Sequence, residues 1–321
     1  MKSEPGKLTL KRLALSPYHQ DGFRQQEITM LNELDIQDSN SNSNHDFYIT
    51  NTSFDFTTIS NEDFNHSTKL MIHPNSGYDN IPAAFVKNAT YPIVLGNKIR
   101  ARAVAEYTLS CLFHHMTKLK NQKDWTSGRY WNRKLLEDNH VLIIGYGRIG
   151  KILEASLRPL TSRLTILDPF KLKTSKSEEI KEKFDIVLMA TSLNKSSLRM
   201  IDSTFLQQCS DTLLFINGAR GKLVAQEELI SFLIKNKNAF AYLDVFEKEP
   251  ANFDDFDMLK NVQLSSHIAG VSMSLDQMIL DFEREVLSDF LTLTKEDFNI
   301  LYSPSLLQNR LHEDQDGLFL I

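Results

Sequence analysis

Strand-like runs and stretches of helical spacing alternate along this chain. Leu8 to Leu15 alternates apolar and polar positions as a strand does, and Phe23 to Leu34 reads as a helix. Phe47 to Thr50 and Lys69 to Ile72 are further short strand candidates, while Phe54 to Thr58 between them is ambiguous between strand and loop. Asp38 to Asn44 is a polar loop. A turn over His73–Asn80 opens a helix from Ile81 to Lys87, and Tyr91 to Gly96 closes this first α/β unit, residues 1–97. Arg102 to Leu119 follows with Val104, Leu109, Leu112, Phe113 and Met116 near helical spacing, a natural crossover to the next unit.

From Asn139 onward the period is strand, helix, strand. Val141–Ile144, Leu164–Leu167, Asp185–Ala190, Thr212–Ile216, Phe240–Val245 and Val262–Ser265 read as strands, with helices such as Gln226–Lys235 between them. That repetition predicts a doubly wound parallel sheet with helices on both faces, and ligands outside the carboxyl ends of its strands. Met273 to Leu293 is a long amphipathic helix able to return to the first unit. The predicted domains are therefore residues 1–97 with 272–321, discontinuous, and 98–271, which includes the crossover helix 102–119. The tail from Lys295 shows no clear pattern, and there are no internal repeats.

Val141 to Ile144 is wholly apolar, as in a strand buried on both faces. Gly145-x-Gly147-x-x-Gly150 follows at once and runs into helical sequence. The first glycine permits the tight turn, the second lets a pyrophosphate approach the backbone, and the third lets helix and strand pack closely. The helix start, with Arg148 and Ile149, offers N–H groups and a partial positive charge to phosphate. The next strand ends in Asp168, near where an acid should accept the ribose hydroxyls of NAD and repel a 2′-phosphate. Lys171 and Lys173 lie nearby and leave weak NADP use open.

Composition narrows the class without changing it. The chain has 321 residues, 41% hydrophobic and 24% charged, as expected of a globular protein of two domains. A net charge of −5 argues against nucleic acid or an acidic membrane as the main partner. Cys111 and Cys209 are too few for a disulfide framework or a thiolate metal site, and adjacent His114 and His115 point apart on a helix. No metal is expected. The first residues lack the apolar core of a signal peptide and no stretch is long enough to span a membrane, so the expected location is the cytoplasm.

Three polar stations fall at predicted strand ends: Arg220 in Asn217-Gly218-Ala219-Arg220-Gly221, Glu247 and Glu249 after Asp244, and His267 in Ser265-Ser266-His267-Ile268-Ala269-Gly270. Singly, each has a bland reading as a surface ion pair, a solvated acid or a structural histidine. Together, on the cofactor side of one sheet, they suit reduction of a 2-keto acid. An arginine can grip the carboxylate bidentately and polarise the keto oxygen. A histidine can exchange a proton with that oxygen, and a carboxylate bonded to it would orient the ring and favour its protonated form.

The segments NSGYDNI, AVAEYTL, IIGYGRIG, NGARG, LDVFEKEP and SSHIAG, in this order, resemble the D-isomer-specific 2-hydroxyacid dehydrogenases over about residues 45–293. The resemblance implies a Rossmann-type NAD domain beside a smaller flavodoxin-like α/β substrate domain, and a homodimer formed through the crossover-helix region. It implies that Arg220 binds and polarises the substrate, that His267 is the acid/base and that Glu249 supports it. NAD is expected on Gly145, Gly147, Arg148, Ile149, Gly150 and Asp168, with Thr191, Ala219 and Asp244 beside it. Backbone N–H groups of Asn75, Ser76 and Gly77 are expected to meet the substrate carboxylate, with domain closure excluding water.

Several positions depart from the family pattern. Ser266 stands where a proline usually precedes the histidine, Ala225 where an acid usually follows valine, and Ser192 where a proline follows the DIVLMA strand. The glycine–asparagine segment before AVAEYTL is altered, with Arg100 and Arg102 nearby; both suit an anionic or phosphorylated substrate tail, or simply flank the helix. No catalytic group is lost. Two rival functions remain at this stage: a non-catalytic NAD(H)-sensing protein like the family's corepressors, which the intact Arg220–Glu249–His267 set disfavours, and a dehydrogenase of another small anion such as phosphite. Formate fits less well, since that branch pairs its histidine with glutamine.

Overall fold

A computed structural model describes residues 7–16, 18–41, 44–59, 64, 67–117, 123, 125, 133–171, 183–315 and 317–321. The chain divides into two compact units, Met1–Arg100 with Val271–Ile321, and Ala101–Gly270.

The first unit is built on five parallel strands: β1 (Leu8–Arg12), β2 (Ile36–Asp38), β3 (Phe47–Ile49), β4 (Leu70–His73) and β5 (Ile93–Leu95). Their order β2-β1-β3-β4-β5 is the flavodoxin-like winding, with its switch point between β1 and β3. Helices α1 (Phe23–Glu33) and α2 (Ala83–Asn88) connect them. The strand β2 was not foreseen: three residues with a single buried apolar side chain, Ile36, give no period to read. Phe54 to Thr58 contains a single 3₁₀ turn, Phe56–Thr58, whose start is capped by Asp55 accepting from Thr57 N (2.9 Å).

The second unit opens with α3 (Ala101–Thr117), where the longer expected helix runs on into positions outside the described residues. Its sheet comprises β6 (Val141–Ile144), β7 (Leu164–Leu167), β8 (Phe184–Met189), β9 (Cys209–Asn217), β10 (Phe240–Leu243) and β11 (Val262–Leu264). Helices α4 (Arg148–Leu157), α5 (Ser203–Leu206) and α6 (Gln226–Lys235) lie between strands in the chain. Every pairing is parallel, in the order β7-β6-β8-β9-β10-β11. The chain thus steps to one side of β6 and then to the other, which makes the end of β6 a switch point. Apolar cores lie on both faces: Leu142, Ile144, Val187 and Phe215 on one, Val141, Ile143, Leu188 and Ile216 on the other. Alternate residues of one strand feed opposite cores, which is why these strands read as unbroken apolar runs. His115 packs its ring against Phe240 (5.0 Å between centroids).

The chain returns to the first unit as α7 (Leu275–Thr292), which buries Leu275, Ile279, Phe282, Val286 and Leu287 in one core with Leu10, Ile49 and Ile72. The tail has more order than its sequence suggested. It forms α8 (Lys295–Tyr302), capped by Thr294, and an antiparallel hairpin of β12 (Leu311–Asp314) and β13 (Gly317–Leu320). Among the described residues no helix is long and apolar enough to cross a membrane.

A buried ionic cluster fastens the returning helix. Arg12 at the end of β1 donates from Nη2 to Glu283 Oε1 on α7 (2.6 Å) and from Nε to Glu27 Oε1 on α1 (2.7 Å). Glu27 also accepts from Arg24, and its carboxyl is held below the ordinary range: burial opposes ionisation, but the two guanidinium groups prevail. Glu283 has Arg12 alone, so burial pushes its carboxyl up to about 8 despite that cation, with Glu27 adding repulsion. The interior thus holds one carboxylate ionised and keeps a proton on the other. A folded-state carboxyl pKa above its unfolded value contributes stability at low pH that is lost as pH climbs through about 8. Thermal melts should therefore show Tm falling from pH 6 to pH 9, and Glu283→Gln should flatten that fall by roughly 2 °C or more. Parallel pH curves for the two proteins would contradict this charge assignment.

Candidate active site

The glycine turn after β6 sits at the switch point, and the space around it is uneven. Gly145 has φ +100°, a left-handed conformation, and a Cβ there would stand 2.5 Å from Ala190 O and 2.6 Å from Thr191 N at the end of β8. A Cβ on Gly150 would strike Gly145 O, so helix and turn are in direct contact. Gly147 is the opposite case: nothing lies within 4 Å of the place its Cβ would take. The first intrahelical bond of α4 runs from Lys151 N to Gly147 O (3.1 Å), so the N–H groups of Arg148, Ile149 and Gly150 open the helix. A floor of N–H groups with a missing side chain above it is the cradle that a pyrophosphate needs.

Asp168 follows β7 and is fixed from two sides. Its Oδ2 accepts from Tyr146 N (2.8 Å) inside the glycine turn, and its Oδ1 from Phe170 N (3.0 Å). A carboxylate has further acceptor positions for ribose hydroxyls. Lys171 N bonds Asp168 O (3.1 Å); Lys173 lies outside the described residues.

The loops after β9, β10 and β11 bring the three polar stations together. After β9, Asn217 folds its own loop: Oδ1 accepts from Ala219 N (3.0 Å) and Nδ2 donates to Arg220 O (3.0 Å). Arg220 is half-buried, with Nη1 donating to Ala219 O (2.7 Å). The next residue, Gly221, lies against Phe246 so closely that any Cβ would overlap its backbone, which ties this loop to the one carrying Glu249.

Asp244, at the end of β10, is 0% exposed and spends its carboxylate on the histidine loop. Oδ1 accepts from Ser265 Oγ (2.6 Å) and Ile268 N (2.9 Å), and Oδ2 from Ala269 N (2.8 Å). Its backbone O takes the N–H of His267 (2.7 Å). All of these bonds join Asp244 to the loop that carries His267. Tyr107 of α3 extends the chain of bonds, its hydroxyl meeting Ser265 Oγ (2.8 Å).

His267 has φ +57°, a conformation that costs a residue with a Cβ roughly 1–2 kcal/mol and persists only when its surroundings over-determine it. The Asp244 bonds on either side supply that determination. The ring is open to solvent, 45% exposed, and Nδ1 lies 2.7 Å from Glu249 Oε2. Burial tends to raise the Glu249 carboxyl, but the His267 bond, the Phe246 N–H on Oε1 (3.0 Å) and the charge of Arg220 hold it below the ordinary range. An ionised carboxylate only accepts, so Nδ1 carries the hydrogen and Nε2 is left to face a reactant. Arginine, ionised acid and oriented imidazole together can hold an anion and exchange one proton with it.

In the first unit, the loop after β4 is also pinned. Buried His73 donates from Nε2 to Gly77 O (2.8 Å), and Asn75 N–H turns back to His73 O (2.7 Å). Of the three N–H groups expected to meet substrate, Asn75's is therefore used within the loop, whereas those of Ser76 and Gly77 form no bond among the described residues. Arg100 and Arg102 part company: Arg100 is half-buried and Arg102 is exposed on α3. Asn217, Ser265 and Tyr107 stand in the segments NGARG, SSHIAG and AVAEYTL, and the resemblance implies no role for them. Asn217 carried a readable signal, an Asn starting a turn at a strand end; the Tyr107–Ser265 contact carried none.

Residues 108–269 match the family described as D-isomer specific 2-hydroxyacid dehydrogenase, NAD binding domain, and the chain belongs to that family. It is an NAD-dependent oxidoreductase of 2-hydroxy and 2-keto acids, as the motifs implied. A glyoxylate reductase of Thermococcus gammatolerans is 28% identical over 238 residues, covering 67% of this chain and 71% of the relative. The fold matches that of the D-lactate dehydrogenase of Aquifex aeolicus, solved with NAD and lactic acid, at TM-score 0.72 and 16% identity, over 94% of this chain and 99% of the other. An NADPH-dependent glyoxylate/hydroxypyruvate reductase of Sinorhizobium meliloti shares the fold at TM-score 0.69 and 16% identity, over 89% and 94%.

The open space at Gly147 gives a direct test of the cradle. Gly147→Ala should fold as the parent does, because φ is −77° and the methyl meets nothing, yet weaken NADH binding by about 10-fold or more. Fluorescence titration with NADH beside a thermal melt separates the two effects. Unchanged NADH affinity would place the pyrophosphate elsewhere.

Proposed function

We propose that Arg220, His267 and Glu249 carry out the reversible reduction of a small 2-keto acid to its D-2-hydroxy acid. The observation that carries this reading is the 2.7 Å pairing of His267 Nδ1 with an ionised Glu249, which leaves Nε2 as the group that meets the substrate. Bound NADH supplies the hydride at C2. As negative charge grows on the keto oxygen, His267 Nε2 gives it a proton, and Arg220 holds the carboxylate and polarises the carbonyl. In the oxidative direction the same Nε2 takes the hydroxyl proton. Glu249 keeps the ring oriented throughout. Ser76 and Gly77 offer N–H groups to the substrate carboxylate.

Gly145, Gly147 and the α4 start hold the pyrophosphate, Thr191 and Ala219 line the cofactor's path, and Asp168 takes the ribose hydroxyls, which favours NAD over NADP. The resemblance also supports a homodimer through the α3 region, the two cysteines suit a reducing compartment such as the cytoplasm, and the net charge of −5 argues against nucleic-acid partners.

Purified protein should oxidise NADH with at least one of pyruvate, glyoxylate, hydroxypyruvate, phenylpyruvate, 2-oxoglutarate and phosphohydroxypyruvate. His267→Ala and Arg220→Ala should each lower kcat/KM by about 10²–10⁴-fold, and Glu249→Gln by about 10–100-fold, with NADH affinity retained. Tight NADH binding without turnover of any of the six would instead favour a dinucleotide sensor or a substrate outside the 2-keto acids.

A further inference from the structure

Within the second unit, one side chain of the crossover helix reaches both loops that carry the proposed chemistry. Tyr107 on α3 is half-buried, and its hydroxyl lies 2.8 Å from Ser265 Oγ, in the segment that leads to His267. Its ring lies against the other loop. A Cβ placed on Gly218, at the start of the turn into Arg220, would stand 3.6 Å from Tyr107 Cδ1 and 3.3 Å from Ala269 Cβ. The Arg220 loop, the His267 loop and α3 therefore converge where this one tyrosine sits, and all three belong to the same compact unit.

The hydrogens along this chain of bonds have one direction. Ser265 Oγ gives its single hydrogen to Asp244 Oδ1 (2.6 Å), so toward Tyr107 it can only accept. Burial pushes the Tyr107 phenol above its ordinary range, which keeps it a donor. Asp244 in turn holds the N–H groups of Ile268 and Ala269. Among the described residues, the only side chains bonded to residues 265–270 are those of Asp244, Glu249 and Tyr107. The two acids belong to β10 and the loop after it, so Tyr107 alone ties the segment to another element. Ser266, next to the histidine, is exposed and forms no hydrogen bond among the described residues, and it stands where the family's usual proline would restrict the backbone. His267 itself is held at φ +57°, a conformation that relaxes unless its surroundings are fixed.

We propose that Tyr107 is a positioning residue for His267: its hydroxyl, acting through Ser265 and Asp244, holds the histidine loop so that Nε2 meets the substrate oxygen. This rests on the function proposed above. The size of the effect is that of one neutral hydrogen bond, about 3- to 10-fold in rate.

Tyr107→Phe keeps the ring against Gly218 and Ala269 and removes only the hydroxyl. Steady-state kinetics of the full-length protein, with the keto acid it turns over best, should show kcat lowered by about 3- to 10-fold while Kd for NADH stays within about 2-fold. In the His267→Ala protein no ring is left to place, so adding Tyr107→Phe should leave the residual rate within about 2-fold. Ser265→Ala breaks the same chain of bonds, and Tyr107→Phe combined with it should cost no more than Ser265→Ala alone. If Tyr107→Phe does not fold, Ser265→Ala with and without His267→Ala gives the same comparison. An unchanged rate in Tyr107→Phe, or an equal loss with and without His267, overturns the inference and leaves the proposed reaction standing. No turnover of any of the six keto acids by the parent protein overturns the reaction, and the inference with it.

Discussion

The buried carboxylate of Asp244 is the constraint on which the candidate chemistry depends. It closes the end of β10, and its two oxygens collect the Ser265 hydroxyl and the N–H groups of Ile268 and Ala269. Its backbone joins the neighbouring loops, taking His267 N–H on one side and donating to Asn217 O on the other. The acid itself is fully buried, and losing it would strand the buried Ala269 N–H without an acceptor. That rigidity lets His267 sit at φ +57° with its ring against Glu249. The exposed imidazole is thus placed by a group that need not touch a reactant at all.

The same logic of rigid edges runs through both units. In each, parallel strands bury apolar side chains on both faces, so polar groups can gather only where strands end. In the second unit those ends hold Gly145–Gly150, Asp168, Arg220, Glu249 and His267. In the first they hold the Asn75–Gly77 loop and Arg100, while Arg12, Glu27 and Glu283 fasten the returning helix behind them. Sites of this kind are held by backbone bonds and buried side chains rather than by the loops' own packing.

Much of this could be read from the chain because burial on both faces leaves a plain trace. Val141–Ile144, Leu164–Leu167 and Gln226–Lys235 were placed at the residues where they occur. Ile36–Asp38 could not be, since an edge strand of three residues with one buried side chain has no period. The tail was misjudged for two different reasons. Helix α8 had a signal, Thr294 with an acid three residues on, whose Oγ1 caps Asp297 N (3.2 Å). The β12–β13 hairpin had little, because Leu311–Asp314 is mostly exposed. Within the site, residue types in motifs located Arg220, Glu249 and His267. Motifs could not show that Asn75's N–H bonds His73, that Asp244 faces the histidine loop, or that Arg100 lies half-buried beside Pro74, because these follow from backbone direction.

The most direct test of the account is stereochemical. NADH carrying deuterium at C4 would be incubated with the 2-keto acid that the protein turns over best, and the product examined by mass spectrometry and chiral chromatography. Hydride transfer to C2 with His267 supplying only the oxygen's proton predicts one deuterium on C2 of the D-2-hydroxy acid, delivered from one face of the nicotinamide and never washed out to solvent. An L product, or a C2 hydrogen drawn from water, would contradict it.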